Sequence, residues 1–294
     1  MPSAYSLRPT HSDCCNIPRG FEQMIWQTKT RTFDLSKRAL IMGVVNVTAD
    51  SFSDGGEFFD VASAVAHARR LAEEGAEIID IGGESTRPGA EPVSEAEEMR
   101  RVLPVIERLA ADTRFVLSID TMKPEVAAAA VAAGTEIIND VTGLRDPAMR
   151  EVVRATGAGA IAMHMQGTPR DMQVAPHYDD VTVEVREFFR QTFAACLGCA
   201  IDPMRLAFDP GIGFGKTLAH NLALIQTLAG LRVEGRPLVL GASRKSFIGK
   251  VLGSAAVADR AWPTVALTSY GRTRGANVFR VNDARPNAEA LRMT

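Results

Sequence analysis

The sequence has little net charge and no long apolar run, and both absences exclude classes of function. Its 294 residues include 33 basic and 35 acidic side chains, for a net charge of −2. That balance predicts no nucleic-acid partner and no binding to an anionic membrane surface. Because no stretch approaches about 18 consecutive apolar residues, we expect no membrane span. An anionic substrate would need a local cluster of basic groups.

Cysteines are also scarce, and the N-terminal residues lack the pattern of a signal peptide. Cys14 and Cys15 are adjacent, and Cys196 and Cys199 form a single C-x-x-C in a helical pattern. One such pair cannot complete a tetrahedral zinc site, so we expect two reduced thiols on a helix. Residues 7–11 are largely polar where a signal peptide needs its apolar core, so we expect a cytoplasmic protein.

From residue 39 onward, short apolar β-branched runs alternate with helical stretches. The strand candidates are 39–46, 77–82, 114–120, 136–141, 158–164, 204–209, 237–242 and 276–281. Helical patterns lie between them, for example at 61–75, 94–111, 124–133, 179–200, 218–230 and 258–274. This alternation predicts an α/β fold with parallel strands, a (β/α)₈ TIM barrel. A doubly wound open sheet is the alternative, although no G-x-G-x-x-G follows the first strand.

The region before the barrel has a different pattern. Residues 1–20 have no regular pattern, whereas 22–37 carry Trp26 and Phe33 among alternating Thr and Lys. We expect a short hairpin there that caps the bottom of the barrel. The chain is therefore divided into an N-terminal extension with a hairpin, residues 1–37, and one barrel domain, residues 38–294.

Polar residues end, or directly follow, every strand candidate. They are Asn46, Asp80, Asp120, Asn139, His164, Asp209, Ser243 with Lys245, and Arg280. A single Asp or Asn at a strand end is usually a helix cap or a turn former. Eight strands that all end this way favour convergence on one mouth, where barrels of this type carry their active sites.

The chemistry of these side chains points to a class of ligand. Asp120, Asn139 and Asp209 suit a planar heterocycle that is read along its edge by paired hydrogen bonds. Positive charge comes from Arg87, Lys245 and Arg280, which suit a phosphate or diphosphate. The glycine-rich run 211–216 lacks the spacing of a nucleotide-binding phosphate loop, so we interpret it as a turn that shapes a ligand site.

Several ordered segments resemble the dihydropteroate synthase family. They are 42–56 (MGVVNVTADSFSDGG), 80–90 (DIGGESTRPGA), 118–121, 139–141, 163–165, 209–216 (DPGIGFGK) and 243–247. The resemblance runs from about residue 34 to the end of the sequence. It implies an enzyme of folate biosynthesis that condenses (7,8-dihydropterin-6-yl)methyl diphosphate with 4-aminobenzoate. It also implies a homodimer.

The resemblance assigns roles at the matching positions. The residues implied to bind the pterin are Asp120, Asn139, Met163, Asp209, Phe214 and Lys245. Those implied to contact the diphosphate are Asn46, Thr86, Arg87, Arg280 and Asn282. Those implied to border the aminobenzoate are Phe52, Arg87, Ser243 and Lys245. Asp120, Asp209, Lys245 and Arg280 would be catalytic, and Asn46 would hold a Mg²⁺ ion.

Two positions depart from the family pattern, and two other functions compete. Ala49 stands where the family usually has Pro, and Asn282 where it usually has His. We expect Asn282 still to serve the diphosphate; the alternative is that it caps the final helix, near Pro286. A pterin-dependent methyltransferase would share the pterin residues but would not need the basic residues for a diphosphate. A catalytically silent pterin-binding barrel is the remaining alternative.

Overall fold

The computed structural model describes residues 23–48, 61–86, 89–254 and 256–294. Within these ranges, the strands are β1 (Ile25–Gln27), β2 (Thr32–Asp34), β3 (Leu40–Asn46), β4 (Ile78–Gly82), β5 (Val116–Asp120), β6 (Ile137–Asp140), β7 (Gly159–Met163), β8 (Leu206–Asp209), β9 (Val239–Leu240) and β10 (Val278–Val281). The α-helices are α1 (Val61–Glu73), α2 (Glu95–Leu109), α3 (Pro124–Ala133), α4 (Pro147–Thr156), α5 (Val181–Gly198), α6 (Leu218–Gln226), α7 (Ser246–Leu252), α8 (Ala261–Thr273) and α9 (Ala284–Leu291).

Strands β3 to β10 form one parallel sheet that closes on itself. Its order is β8-β7-β6-β5-β4-β3-β10-β9, and at least one helix follows each strand. A parallel bridge between Phe208 and Leu238 joins the two ends of the sheet. The predicted (β/α)₈ TIM barrel is therefore confirmed, and the open doubly wound sheet is excluded.

The N-terminal hairpin plugs the bottom of the barrel, as predicted. β1 and β2 pair antiparallel, with Trp26 opposite Phe33. Both side chains and Leu35 pack into one buried cluster with strand residues. The strand residues of this cluster are Leu40, Met42, Ile78, Val116, Ile137, Ile161, Ala207, Val239 and Val278. The Trp26 indole N–H donates to the Arg205 carbonyl at 3.0 Å, which satisfies the one polar atom of the buried ring. The division into residues 1–37 and 38–294 stays a prediction.

The helices cover the barrel with amphipathic faces. In α1, the buried residues Ala64, Val65, Ala68 and Leu71 recur at helical spacing and form one face. α2 begins after Ser94, which accepts a hydrogen bond from the Glu97 amide at 3.2 Å. Such a cap satisfies one of the amides that a helix start leaves without a partner.

Two further features of the described residues bear on the sequence predictions. Cys196 and Cys199 are both free and lie at the end of α5, as expected. In the part of the chain that the structure describes, no helix is both long enough and apolar enough to cross a membrane.

Candidate active site

The inner surface of the barrel changes from apolar to polar along the strands. Ile137 belongs to the apolar bottom cluster, and Asn139 follows it two residues later; Ala207 is followed by Asp209 in the same way. Because alternate residues of a strand point to the same side, both members of each pair face the barrel interior. This alternation explains why polar residues end the strands and meet at one mouth.

Strand register brings several of these residues to one level. Asn46 of β3 pairs with Gly82 of β4, Gly82 with Asp120 of β5, and Asp120 with Asn139 of β6. Four neighbouring strands therefore reach the mouth at the same height. Asn46, at the end of β3, is half-buried at the level of Asp120.

A pocket opens at this end of the barrel. All the residues predicted to bind a pterin line it: Asp120, Asn139, Met163, Asp209, Phe214 and Lys245. Thr86 and Arg280, from the predicted diphosphate set, line it as well. Val141, Gly211, Ile212 and Gly241 complete the lining. Sequence reasoning missed Val141 and Ile212, since an apolar residue just after a strand carries no signal of a ligand site.

Arg280 is held between two carboxylates at the pocket. Its Nε donates to Asp80 Oδ2 at 2.6 Å, and its Nη2 donates to Asp120 Oδ2 at 2.5 Å. Asp80 is fully buried and also accepts from Asn139 Nδ2 at 3.1 Å. Burial alone would lower the pKa of Arg280, but the two carboxylates raise it above its ordinary value. Asp80 thus joins two predicted site residues from below, a role that the sequence did not indicate.

Two carboxylates supply the pocket with acceptors. Asp120 Oδ1 is buried, and it has no hydrogen-bond partner among the described residues. Leaving a buried acceptor without a partner costs about 1–3 kcal/mol, so a donor from a ligand fits there. Burial raises the pKa of Asp120, against the opposing charge of Arg280. Burial also raises the pKa of Asp209, opposed by the Gly211 amide that donates to its Oδ1 at 2.7 Å.

An apolar wall stands beside these polar groups. Met163 and Phe214 belong to a buried cluster that also contains Val141, Met165 and Met172. The Lys245 ammonium lies 3.9 Å from the centre of the Phe214 ring, within the range of a cation–π interaction. Apolar and aromatic surface next to a few fixed polar groups is what binding sites for small molecules usually offer.

Ser243 and Asn282 hydrogen-bond to each other. Ser243 Oγ donates to the side-chain Oδ1 of Asn282 at 3.0 Å, and the backbone N–H of Asn282 donates to Ser243 Oγ at 3.1 Å. Helix α9 begins at Ala284, and its N-cap is Asp283. The alternative in which Asn282 caps the final helix is therefore wrong. The structure instead brings a predicted diphosphate residue next to a predicted aminobenzoate residue.

His164 does not join the other strand-end residues at the mouth. Met163, the residue before it, points into the pocket, so His164 points to the opposite face of the strand. Its ring lies 5.0 Å from the Phe188 ring and 3.0 Å from Lys216 Nζ. The expectation that His164 converges with the others is wrong. Burial lowers the pKa of His164 to about 2, which keeps the ring neutral.

Three residues named in the sequence predictions cannot be placed in the pocket, because they lie outside the described residues. Phe52, Arg87 and Ala49 lie outside the described ranges.

Within the described ranges, no group of three or more His, Cys, Asp or Glu residues is placed to hold a metal ion. Asn46 offers one amide oxygen. Mg²⁺ is commonly bound by one or two protein oxygens together with substrate phosphates and water. The donor set at the mouth therefore fits Mg²⁺ as an ion shared with a diphosphate.

Comparison with known proteins agrees with this geometry. The family described as pterin binding enzyme matches residues 42–282. Dihydropteroate synthase of Escherichia coli K12 is 44% identical over 253 residues, which are 86% of this chain and 89% of that protein. Dihydropteroate synthase of Xanthomonas albilineans, solved with 4-aminobenzoic acid, superposes with a TM-score of 0.86 at 47% identity, covering 92% of this chain and 97% of that chain. The same enzyme solved with 7,8-dihydropteroate gives a TM-score of 0.83 at 44% identity, with 92% and 97% coverage.

Proposed function

Since the chain belongs to the dihydropteroate synthases, among the pterin-binding enzymes, we propose that its pocket joins a pterin to 4-aminobenzoate. The substrates are (7,8-dihydropterin-6-yl)methyl diphosphate and 4-aminobenzoate, and the products are 7,8-dihydropteroate and diphosphate. The observation that supports this assignment best is the buried Asp120 Oδ1, which has no partner in the part of the chain that the structure describes and belongs to a pocket that also contains Asn139 and Asp209.

The pterin ring is recognised along its edge. The carboxylates of Asp120 and Asp209 accept from the N–H groups of the pterin, and Asn139 supplies both an acceptor and a donor. The apolar wall of Met163 and Phe214 contacts the ring, and Lys245 adds a donor. Asp80 supports this set, because it fixes the amide of Asn139 at 3.1 Å.

The diphosphate and the aminobenzoate occupy the outer part of the mouth. The residues proposed for the diphosphate are Asn46, Thr86, Arg87, Arg280 and Asn282. Those proposed for the aminobenzoate are Phe52, Arg87, Ser243 and Lys245. The hydrogen bonds between Ser243 and Asn282 support this arrangement, because they bring one member of each set together.

The difficult step is loss of the diphosphate, because an aromatic amine is a weak nucleophile that gains little from a strong base. We propose a dissociative substitution. The bond between the pterin methylene and the diphosphate oxygen breaks, and its electron pair leaves with the diphosphate. The amine nitrogen then forms a bond to the methylene and releases one proton to solvent. Asp120 and Asp209 stabilise the cationic pterin, while Arg87 and Arg280 stabilise the leaving charge.

A Mg²⁺ ion fits this mechanism. Asn46 would hold it together with the diphosphate, and the bound ion would neutralise part of the leaving-group charge. The strand register places Asn46 at the level of Asp120.

The decisive experiment measures diphosphate release by the purified full chain. We expect release only when the pterin diphosphate, 4-aminobenzoate and Mg²⁺ are all present, and loss of that release after treatment with EDTA. Binding of the pterin diphosphate without any release of diphosphate contradicts the proposal and supports a silent pterin-binding barrel. Transfer of a methyl group from methyltetrahydrofolate contradicts it in favour of a methyltransferase.

We also propose that the enzyme is a homodimer. Val251 and Leu252 in α7 are 59% and 46% exposed, and Val257 and Trp262, just before and within α8, are 53% and 77% exposed. These four exposed apolar side chains lie within twelve residues of each other in the sequence, and exposed apolar surface commonly marks an interface between proteins. Light scattering should give twice the mass of the chain, and Trp262→Asp should give a monomer. We further propose, from the sequence pattern of residues 7–11, that the enzyme is cytoplasmic.

A further inference from the structure

Lys216 is a buried cation that the proposed reaction does not use. It ends the glycine-rich run 211–216 and is 3% exposed. Burial lowers the pKa of Lys216 to about 7, against the opposing charge of Asp209. Among the described residues, the hydrogen-bond partners of its Nζ are a histidine ring and two backbone carbonyls, not a carboxylate. A buried charge without an ion-pair partner costs free energy, so its position calls for a physical reason.

The Lys216 ammonium has three acceptors on two different loops. It donates to the Phe214 carbonyl at 2.9 Å, to His164 Nδ1 at 3.0 Å and to the His164 carbonyl at 3.3 Å. An ammonium has three N–H donors, so donors and acceptors match in number. Because the His164 ring is neutral, one of its nitrogens can accept. Lys216 therefore ties the loop after β8 to the residues after β7.

The two loops are in direct backbone contact at this point. A Cβ atom on Gly211 would lie 1.9 Å from the His164 carbonyl oxygen. A Cβ atom on Gly215 would lie 2.6 Å from the Gln166 carbonyl oxygen. Both glycines have positive φ, 67° and 60°, which other residues rarely adopt. The two glycines thus keep this contact free of side chains, and Lys216 holds the two loops together through its hydrogen bonds.

The fastened loop carries part of the pterin pocket. Phe214, whose carbonyl Lys216 binds, lies 3.9 Å from the Lys245 ammonium. The Gly211 amide donates to Asp209 Oδ1 at 2.7 Å. A shift of this loop would therefore displace both the Phe214 ring and the Gly211 amide, which is the hydrogen-bond partner of Asp209.

We propose that Lys216 is a positioning residue of the pterin pocket, which fixes the 211–215 loop so that Phe214 and Asp209 meet the ring correctly. The proposal rests on the proposed function, since the pterin is what the pocket is positioned for. Lys216 does not line the pocket, so it acts through Phe214 and Asp209 rather than by contact with substrate.

The same cation also acts on Asp209 through space. The charged or titratable groups facing Lys216 are Asp209 on β8, His164 after β7, Arg145 after β6, Tyr178 before α5, His220 in α6 and Lys245 after β9. The cations that lower the pKa of Asp209 are Lys245, Arg280 and Lys216. Removing the Lys216 charge should therefore raise the pKa of Asp209 further. The ionised acceptor would then be lost at a higher pH.

Calorimetric titration with the pterin diphosphate, from about pH 5 to about pH 8, tests the proposal. The matched control is Tyr178→Phe, which removes a 2.9 Å hydrogen bond to the Gly215 carbonyl of the same loop but leaves Lys216 in place. We expect Lys216→Met to weaken binding about tenfold near neutral pH, and Tyr178→Phe to bind within about twofold of the wild type. In Lys216→Met, affinity should also be lost at a higher pH on acidification.

Lys216→Gln keeps N–H donors without a charge and replaces the methionine variant if that variant does not fold. It should recover part of the affinity but should keep the displaced pH profile. Wild-type affinity and an unmoved pH profile in the Lys216 variants overturn the proposal. So does an equal loss in Tyr178→Phe, because the loss would then reflect general loosening of the loop. A wild-type chain that fails to bind the pterin diphosphate overturns the proposed function instead.

Discussion

Replacing Asp209 by asparagine tests the polar edge of the pocket with almost no change of shape. The side chain is 5% exposed, and its Oδ1 accepts from the Gly211 amide at 2.7 Å. The asparagine side chain would keep that acceptor but would turn the other carboxylate oxygen into an N–H₂ donor that meets the N–H donors of the pterin. A hydrogen bond to a charged group contributes about 1.5–3 kcal/mol. Pterin affinity should therefore fall about tenfold to 150-fold.

The assay is calorimetric titration of each variant with the pterin diphosphate, without 4-aminobenzoate. Asp146→Asn is the matched control, because Asp146 is an exposed N-cap of α4 that accepts from the Ala148 amide at 2.8 Å. Asparagine caps helices about as well as aspartate, so this control should bind like the wild type. Affinity of Asp209→Asn within twofold of both would refute the assignment of Asp209 to the pterin.

Three other perturbations test separate parts of the account. Burial raises the pKa of the pocket carboxyls. A carboxylate accepts more strongly than a protonated carboxyl, which also turns one oxygen into an O–H donor. Pterin affinity should therefore be full above the raised pKa values and fall as the pH falls through them, above the pH of about 4 where an ordinary Asp titrates; a loss confined to lower pH contradicts this. Asn282→Ala should raise the KM for the pterin diphosphate about tenfold, and Asn282→His should be tolerated and add a pH dependence between about 6 and 8; a lowered Tm with unchanged KM contradicts the diphosphate role. Lys123→Met leaves Glu98, 1% exposed and 2.5 Å from the Lys123 ammonium, without its cation. It should lower the free energy of unfolding in urea by about 3–5 kcal/mol, whereas Lys123→Arg should cost much less; equal stability of the two variants contradicts this.

The barrel was predictable because each strand leaves a local pattern. Strands buried on both faces appear as short apolar runs, and helices between them show amphipathic spacing. Among the predicted strands, the bounds 237–242 differ most from the structure, since only Val239–Leu240 forms a strand. On its far side, the pairing with β8 is an isolated bridge between Phe208 and Leu238, which lies just before β9. Its length therefore depends on how the barrel closes, which no local pattern records.

The site was predictable in part. Asp120, Asn139 and Asp209 end apolar runs, so their position at the mouth follows from strand polarity. Asp80 lies one level lower, and His164 lies on the outer face. Both places depend on the alternation of side chains along a strand. A strand boundary that is wrong by one residue reverses the predicted faces. The tie between Lys216 and His164 joins residues 52 positions apart through loop packing. Such a contact has no sequence signal of its own.

A crystal structure of this chain with 7,8-dihydropteroate tests the central claim most directly. We predict that the pterin ring lies in the pocket at the carboxyl ends of the strands. Its N–H donors should lie within hydrogen-bond distance of Asp120 Oδ1, the acceptor with no partner among the described residues, and of Asp209. The Arg280 side chain should line the same pocket. A pterin bound elsewhere, or bound with both carboxylates out of hydrogen-bond reach, would contradict the account.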